Sequence, residues 1–103
     1  MEGGEVFAHL LEPARTYLVS LSGSERGVVE ADIKVLRNVT KAAAVKRKQL
    51  RGPIRELIVG NHRFTYFKLG QTLYFVRGFR KKSTKTPPQE IEYAMRVYKI
   101  LKN

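Results

Sequence analysis

From Pro53 to Phe79 the chain is dominated by β-branched and aromatic residues, broken at Gly60-Asn61 and again at Gly70-Gln71. Glycine beside a polar residue, set between apolar runs, is the signal of a tight hairpin, and Gly60-Asn61 is the more specific of the two. The pattern predicts three strands, Ile54–Val59, His62–Leu69 and Thr72–Phe79, joined in order as an antiparallel meander. Whatever else the chain forms must pack on this sheet.

The flanking segments have a different period. Val6–Leu10 reads as a short first strand. Pro13 suits a first helical position, where its missing N–H costs nothing, and Ala14, Tyr17, Leu18 and Leu21 follow at helical spacing. Ser22 and Glu25 have capping-box spacing, and Val29, Ile33 and Leu36 carry a second helix to about Val39. Thr40–Arg51 is polar and basic and reads as a connector whose end enters a strand. After the sheet, Thr86 and Gln89 repeat the capping-box spacing, Pro87 takes the first helical position, and Ile91, Ala94, Met95, Tyr98 and Leu101 share one face. The expected fold is α+β: an N-terminal helical hairpin and a C-terminal helix on a small, mostly antiparallel sheet, with residues 1–103 as a single domain.

Composition narrows the chemistry. No apolar run is long enough to span a membrane, and Glu2 and Glu5 are unlike the basic start of a secretory signal, so a cytoplasmic location is expected. Without cysteine there are no disulfides, thiolates or cysteine metal sites, and His9 and His62 are the only imidazoles, so neither a metal nor a cofactor is expected. Residues 1–45 hold five basic and six acidic side chains, whereas residues 46–103 hold fifteen and three. A positive field confined to one half of a small domain suits a polyanion, because cations that neutralise phosphates release their counterions.

The candidate site lies in that basic half. Arg77, Arg80, Lys81, Lys82 and Lys85 run from the last strand into a polar loop able to surround a phosphate. Arg63 lies near the same end of the sheet, and register decides its relation to Arg77. If residues 68 and 72 pair across a three-residue loop, positions 63 and 77 stand opposite each other on one face, which is the expected arrangement. A two-residue loop pairs 69 with 72 and sends them to opposite faces. Two convergent guanidiniums suit phosphoryl transfer, since they meet phosphate oxygens with fixed donors and stabilise charge on a pentacoordinate phosphorus. RNA supplies its own nucleophile in the 2′-hydroxyl, so a metal-independent endoribonuclease needs only proton transfer and charge stabilisation. Lys81 and Lys82, set among several other cations, are candidates for that transfer, and His62 is another. Arg63, Arg77 and Lys82 are thus the catalytic candidates. Lys46, Lys48, Arg51, Arg55, His62, Arg80, Lys81 and Lys85 are the candidates for holding nucleic acid. Phe64, Tyr66, Phe67, Tyr74, Phe75 and Phe79 are interleaved with this charge, but strand alternation assigns most of them to the core rather than to base stacking.

The run Gly78-Phe79-Arg80-Lys81-Lys82-Ser83-Thr84-Lys85-Thr86-Pro87, with Glu90-Ile91-Glu92 and Ala94 after it, resembles the GF-x-KK-x-x-KTP signature of the phage-derived branch of the RelE/HigB toxins. Glu56-Leu57, Arg63 and Tyr66-Phe67 are similar to the same family's strand pair, and Leu11–Leu21 more loosely to its first helix. The resemblance implies a microbial-ribonuclease-like fold, cleavage of mRNA in the ribosomal A site, and neutralisation by a co-encoded helix-turn-helix antitoxin. It also implies that Arg63 binds or activates the scissile phosphate, while Lys81, Lys82 and Lys85 hold RNA or share the proton transfers. Two positions depart from the pattern. Ile58 stands where the family usually has arginine, and Arg77 where it often has histidine, leaving Arg55 or Arg77 to compensate. Two other functions fit the same residues: a ParE-like toxin acting on DNA gyrase, and a non-catalytic RNA-binding module.

Overall fold

The computed structural model describes residues 4–103; Glu2, used above in reading the N-terminus, lies outside them. Strand β1 (Phe7–Leu10) leads into helices α1 (Glu12–Ser20) and α2 (Gly23–Arg37), followed by a single 3₁₀ turn at Ala42–Ala44. Strands β2 (Arg47–Arg51), β3 (Ile54–Val59), β4 (His62–Leu69) and β5 (Thr72–Arg80) come next, and α3 (Pro88–Lys102) ends the chain. The five strands lie in the order β1-β5-β4-β3-β2, with β1 parallel to β5 and every other pair antiparallel. The predicted meander is the centre of this sheet. The end of the basic connector supplies its outer strand, β2.

Helices α1 and α2 cover one face of the sheet. Ala14, Leu18, Val29, Ile33 and Leu36 pack there on Leu57, Val59, Phe64, Tyr66, Leu73 and Phe75. Helix α3 covers the other face, where Ala94 is buried with Ile54, Phe67 and Val76, and Met95 and Tyr98 pack around them. Leu101, expected on the same apolar face, is instead 40% exposed. Phe64, Phe67 and Phe75 are fully buried, each contributing about 1.5–3 kcal/mol relative to exposure.

The hairpins explain the register. Gly60 and Gly70 have φ of 59° in both cases, and neither Asn61 nor Gln71 has positive φ, the sign pattern of a turn that wants glycine at its first central position. Both loops are therefore two residues long, with Val59 paired to His62 and Leu69 to Thr72. The expected 68–72 pairing does not form. Yet Arg63 and Arg77 still share a face, because a β-bulge intervenes. Tyr66 pairs with Phe75 and Thr65 with Arg77, which leaves Val76 as an extra residue on β5. That insertion reverses the side-chain alternation beyond it and returns Arg77 to the α3 face. Arg63 is paired with Phe79, so the arginines are offset rather than opposite.

Candidate nucleic-acid cleft

A cleft of about 360 Å³ opens where the end of β5 runs into the basic loop. Its walls include Tyr17 from α1, Glu56 from β3, Arg63 from β4, the segment from Gly78 to Pro87, and Gln89 and Glu90 at the start of α3.

Arg63 is fixed from below. Its Nη1 donates to the carbonyls of Gly60 at 2.8 Å and His62 at 3.0 Å, both belonging to the hairpin turn beside it. Its Nε lies 4.0 Å from a carboxylate oxygen of Glu56, and the side chain is only 14% exposed. The tight turn thus does more than reverse the chain, because its carbonyl sets the direction of the guanidinium.

Glu56 is 1% exposed, and a carboxylate removed from water in this way needs partners. Lys48 Nζ approaches one oxygen at 3.8 Å, beside Arg63, and the Thr86 hydroxyl donates to the other at 2.7 Å. Thr86 was expected to cap α3, but its hydroxyl satisfies the buried carboxylate instead. The helix begins one residue later, at Pro88, with Pro87 at the capping position and no side-chain cap. Water can satisfy an exposed helix end but cannot reach Glu56, so the stronger demand takes the hydroxyl.

Between Arg80 and Thr86 the backbone is anchored at its start. Lys81 N–H donates to Asn61 O at 2.7 Å and so extends the β4–β5 ladder by one bond. Lys81, Lys82 and Lys85 are exposed and line the cleft, and none forms an ion pair with a carboxylate among the described residues. Gly78 has a steric reason. A Cβ there would lie 2.6 Å from ring atoms of both Tyr17 and Phe64, so α1 can approach β5 only over a glycine.

Not every expected residue joins the cleft. Arg77 faces a neighbouring depression with Glu12, Thr16 and Tyr17. Its Nε lies 2.9 Å from Glu90 Oε1, an ionic contact whose N–H is not aligned as a hydrogen bond, and its guanidinium sits 5.1 Å from the Tyr93 ring centre. Arg55 lies on the α1–α2 face with Arg47, Tyr66 and Lys68, so it is in no position to replace the arginine missing at Ile58. Ile58 itself is the strand partner of Arg63. Lys46 and Arg51 are exposed at the two ends of β2, outside the cleft.

His62 corrects another expectation. It is 5% exposed, on the α1–α2 face, with Nδ1 at 2.7 Å from the Tyr17 hydroxyl and Nε2 at 3.3 Å from Glu25 Oε2. It is therefore closed to direct contact with RNA. The hydrogen bond from His62 holds the Glu25 carboxyl below the usual carboxylate range. Burial pushes the Tyr17 phenol up; the nearby Arg80 opposes this shift and Glu25 adds to it. Tyr17, Glu25 and Glu56 are the residues that sequence reading missed as site components. Tyr17 had looked like helix core and Glu25 like half of a capping box with Ser22; Ser22 is the cap, its Oγ accepting from the Glu25 N–H at 3.2 Å.

This architecture is that of the RelE-like fold. It is shared by a chain of the RelB-RelE antitoxin-toxin complex from Methanococcus jannaschii, at 19% identity and TM-score 0.58 over 69% of this chain and 87% of that one. It is shared also by a chain of the toxin-antitoxin complex RelBE2 from Mycobacterium tuberculosis, at 16% identity and TM-score 0.61 over 78% and 95%. No curated protein matches the sequence. The chain belongs to the family described as Phage derived protein Gp49-like (DUF891), whose model matches residues 16–99.

Proposed function

We propose that this protein is the toxin of a toxin–antitoxin pair and acts as a ribosome-dependent mRNA endoribonuclease. The observation that carries the reading is the cleft itself: a guanidinium, Arg63, pinned by two backbone carbonyls, faces a lysine-bearing loop tied to the same floor through Thr86 and Glu56. A preset cation close to exposed lysines meets the two needs of phosphoryl transfer, a positioned phosphate and stabilised charge in the transition state. Arg63 takes the scissile phosphate. Lys81, Lys82 and Lys85 hold the flanking backbone, and one of them, Lys82 in the first instance, gives a proton to the leaving 5′-oxygen. The 2′-hydroxyl attacks, forming a cyclic phosphate without a metal or cofactor. Arg77, paired with Glu90, serves RNA outside the reacting centre, as do Arg80 and Lys48 at the rim.

The fold shared with chains from antitoxin–toxin complexes supports the toxin assignment, and the family signature from Gly78 to Pro87 supports the nuclease over the gyrase poison. The partners are mRNA in the ribosomal A site and a helix-turn-helix antitoxin, which places the activity in the cytoplasm. The test is expression from a tight promoter with mapping of new mRNA 5′ ends. Wild-type protein produces them and arrests growth, while Arg63→Ala lowers the cleavage rate by about 10²–10³-fold, the loss typical for one transition-state donor. Growth arrest over intact transcripts favours the gyrase poison; RNA binding without arrest favours a binding module.

A further inference from the structure

Tyr17, His62 and Glu25 come from three elements, α1, β4 and α2, and form one hydrogen-bonded line. The line begins at the cleft, which Tyr17 lines, and ends at a carboxylate 45% exposed on the protein surface.

Its direction can be worked out from the donors. An ionised carboxylate only accepts, so the bond between His62 Nε2 and Glu25 places a hydrogen on Nε2. Neutral His62 then has a bare Nδ1, which accepts from the Tyr17 hydroxyl at 2.7 Å. Tyr17 thus directs its own proton inward and keeps oxygen lone pairs for a donor on the cleft side. The ring has little freedom to do otherwise. It meets Phe64 edge-on at 5.6 Å and His62 at 5.6 Å, and it rests where any side chain on Gly78 would collide with it.

We propose that Tyr17 receives the proton of the attacking 2′-hydroxyl and passes its own to His62, with Glu25 balancing the imidazolium that forms. This inference rests on the nuclease reading above and supplies the base which that reading leaves unnamed. In the step, the 2′-O–H bond breaks and its proton goes to Tyr17 Oη, while the former phenolic proton goes to His62 Nδ1. The 2′-oxygen bonds to phosphorus, the P–O5′ bond breaks, and the leaving oxygen takes its proton from the loop lysine. His62 then loses a proton to solvent and the lysine regains one. A phenol held neutral by burial is a poor base alone, but it relays a proton well when an oriented imidazole stands behind it. The charged groups facing the line are Glu25 from α2 and Arg80 from β5, with Glu12 and Arg77 across the neighbouring depression.

The experiment is single-turnover cleavage of mRNA on purified programmed ribosomes by wild type, Tyr17→Phe and Glu25→Gln, alongside ¹⁵N NMR of the His62 ring. Phenylalanine keeps the ring on Gly78, and glutamine retains a backbone N–H for Ser22. Tyr17→Phe is expected to lower the cleavage rate by about 10²–10⁴-fold with unchanged RNA affinity and to flatten the dependence of rate on pH, and Glu25→Gln to lower it less. The wild-type ring is expected to show Nε2 protonated and Nδ1 bare. Tyr17→Phe cutting at the wild-type rate, or the opposite tautomer in the wild-type ring, overturns the relay alone. Wild-type protein that leaves ribosomal mRNA intact overturns the nuclease reading, and the relay with it.

Discussion

Arg63 and the lysines of the 81–85 loop border the same cleft under opposite conditions. Arg63 is 14% exposed and bonded to two carbonyls, beside a buried carboxylate. The lysines are exposed, and the loop's only internal side-chain hydrogen bond among the described residues joins Ser83 Oγ to the Lys85 carbonyl at 2.9 Å. The contrast separates two tasks that net charge alone merges. Stabilising a developing charge needs a donor already in place, which burial and backbone bonds provide. Attracting a polyanion needs only charge near the surface, where long solvated side chains lose little by staying free.

Breaking the loop's share should have the largest effect. If phosphate contacts dominate, affinity of the wild-type protein for single-stranded RNA falls by about 300-fold between 50 and 200 mM salt for about six contacts. Replacing Lys81, Lys82 and Lys85 with alanine should reduce the slope of log affinity against log salt by about 2, measured by fluorescence anisotropy on single-stranded RNA. An unchanged slope would assign the phosphate contacts to other cations.

Thr86 joins the two regions, so Thr86→Val sharpens the comparison. Valine keeps the shape but removes the donor to the buried Glu56 carboxylate, and a cost of about 1.5–3 kcal/mol is expected in urea unfolding. A change near zero would mean that Lys48 and Arg63 alone satisfy Glu56.

The smallest effect concerns the opposite face, where the Tyr66 hydroxyl is buried without a hydrogen-bond partner among the described residues. Burial raises its pKa against the opposing influence of Arg47 and Arg55, and Tyr17 is raised as well. A group that holds its proton more tightly when folded contributes its full share of stability below its unfolded pKa. That share is lost as pH rises through the folded value. Stability should therefore decline above about pH 10, by at most about 1.4 kcal/mol per pH unit from Tyr66, and Tyr66→Phe should remove that part of the slope in alkaline denaturation.

Much of this is legible in the sequence. The strands at Ile54–Val59 and His62–Leu69, and the helices on either side of the sheet, follow from periodicity and glycine placement, because local sterics and apolar alternation act within a few residues. Arg63 and the three lysines were legible as well, since charge and spacing are properties of the chain. His62 was misread for the reason that makes it interesting. Its partners Tyr17 and Glu25 are 45 and 37 residues away, and nothing local distinguishes a solvated turn histidine from a buried one held at both nitrogens.

The shared face of Arg63 and Arg77 shows where the boundary falls. The sequence by itself determined a meander with tight glycine turns, a helix on each flank, and a positive field over its second half. Tertiary structure decided what those parts do. The Val76 bulge restored a face that a two-residue loop alone would have lost, and Arg77 there pairs with Glu90 without itself lining the cleft. Glu56 drew Thr86 from its cap. Each outcome depends on partners distant in sequence, and for Thr86 the deciding partner is a buried carboxylate that water does not reach.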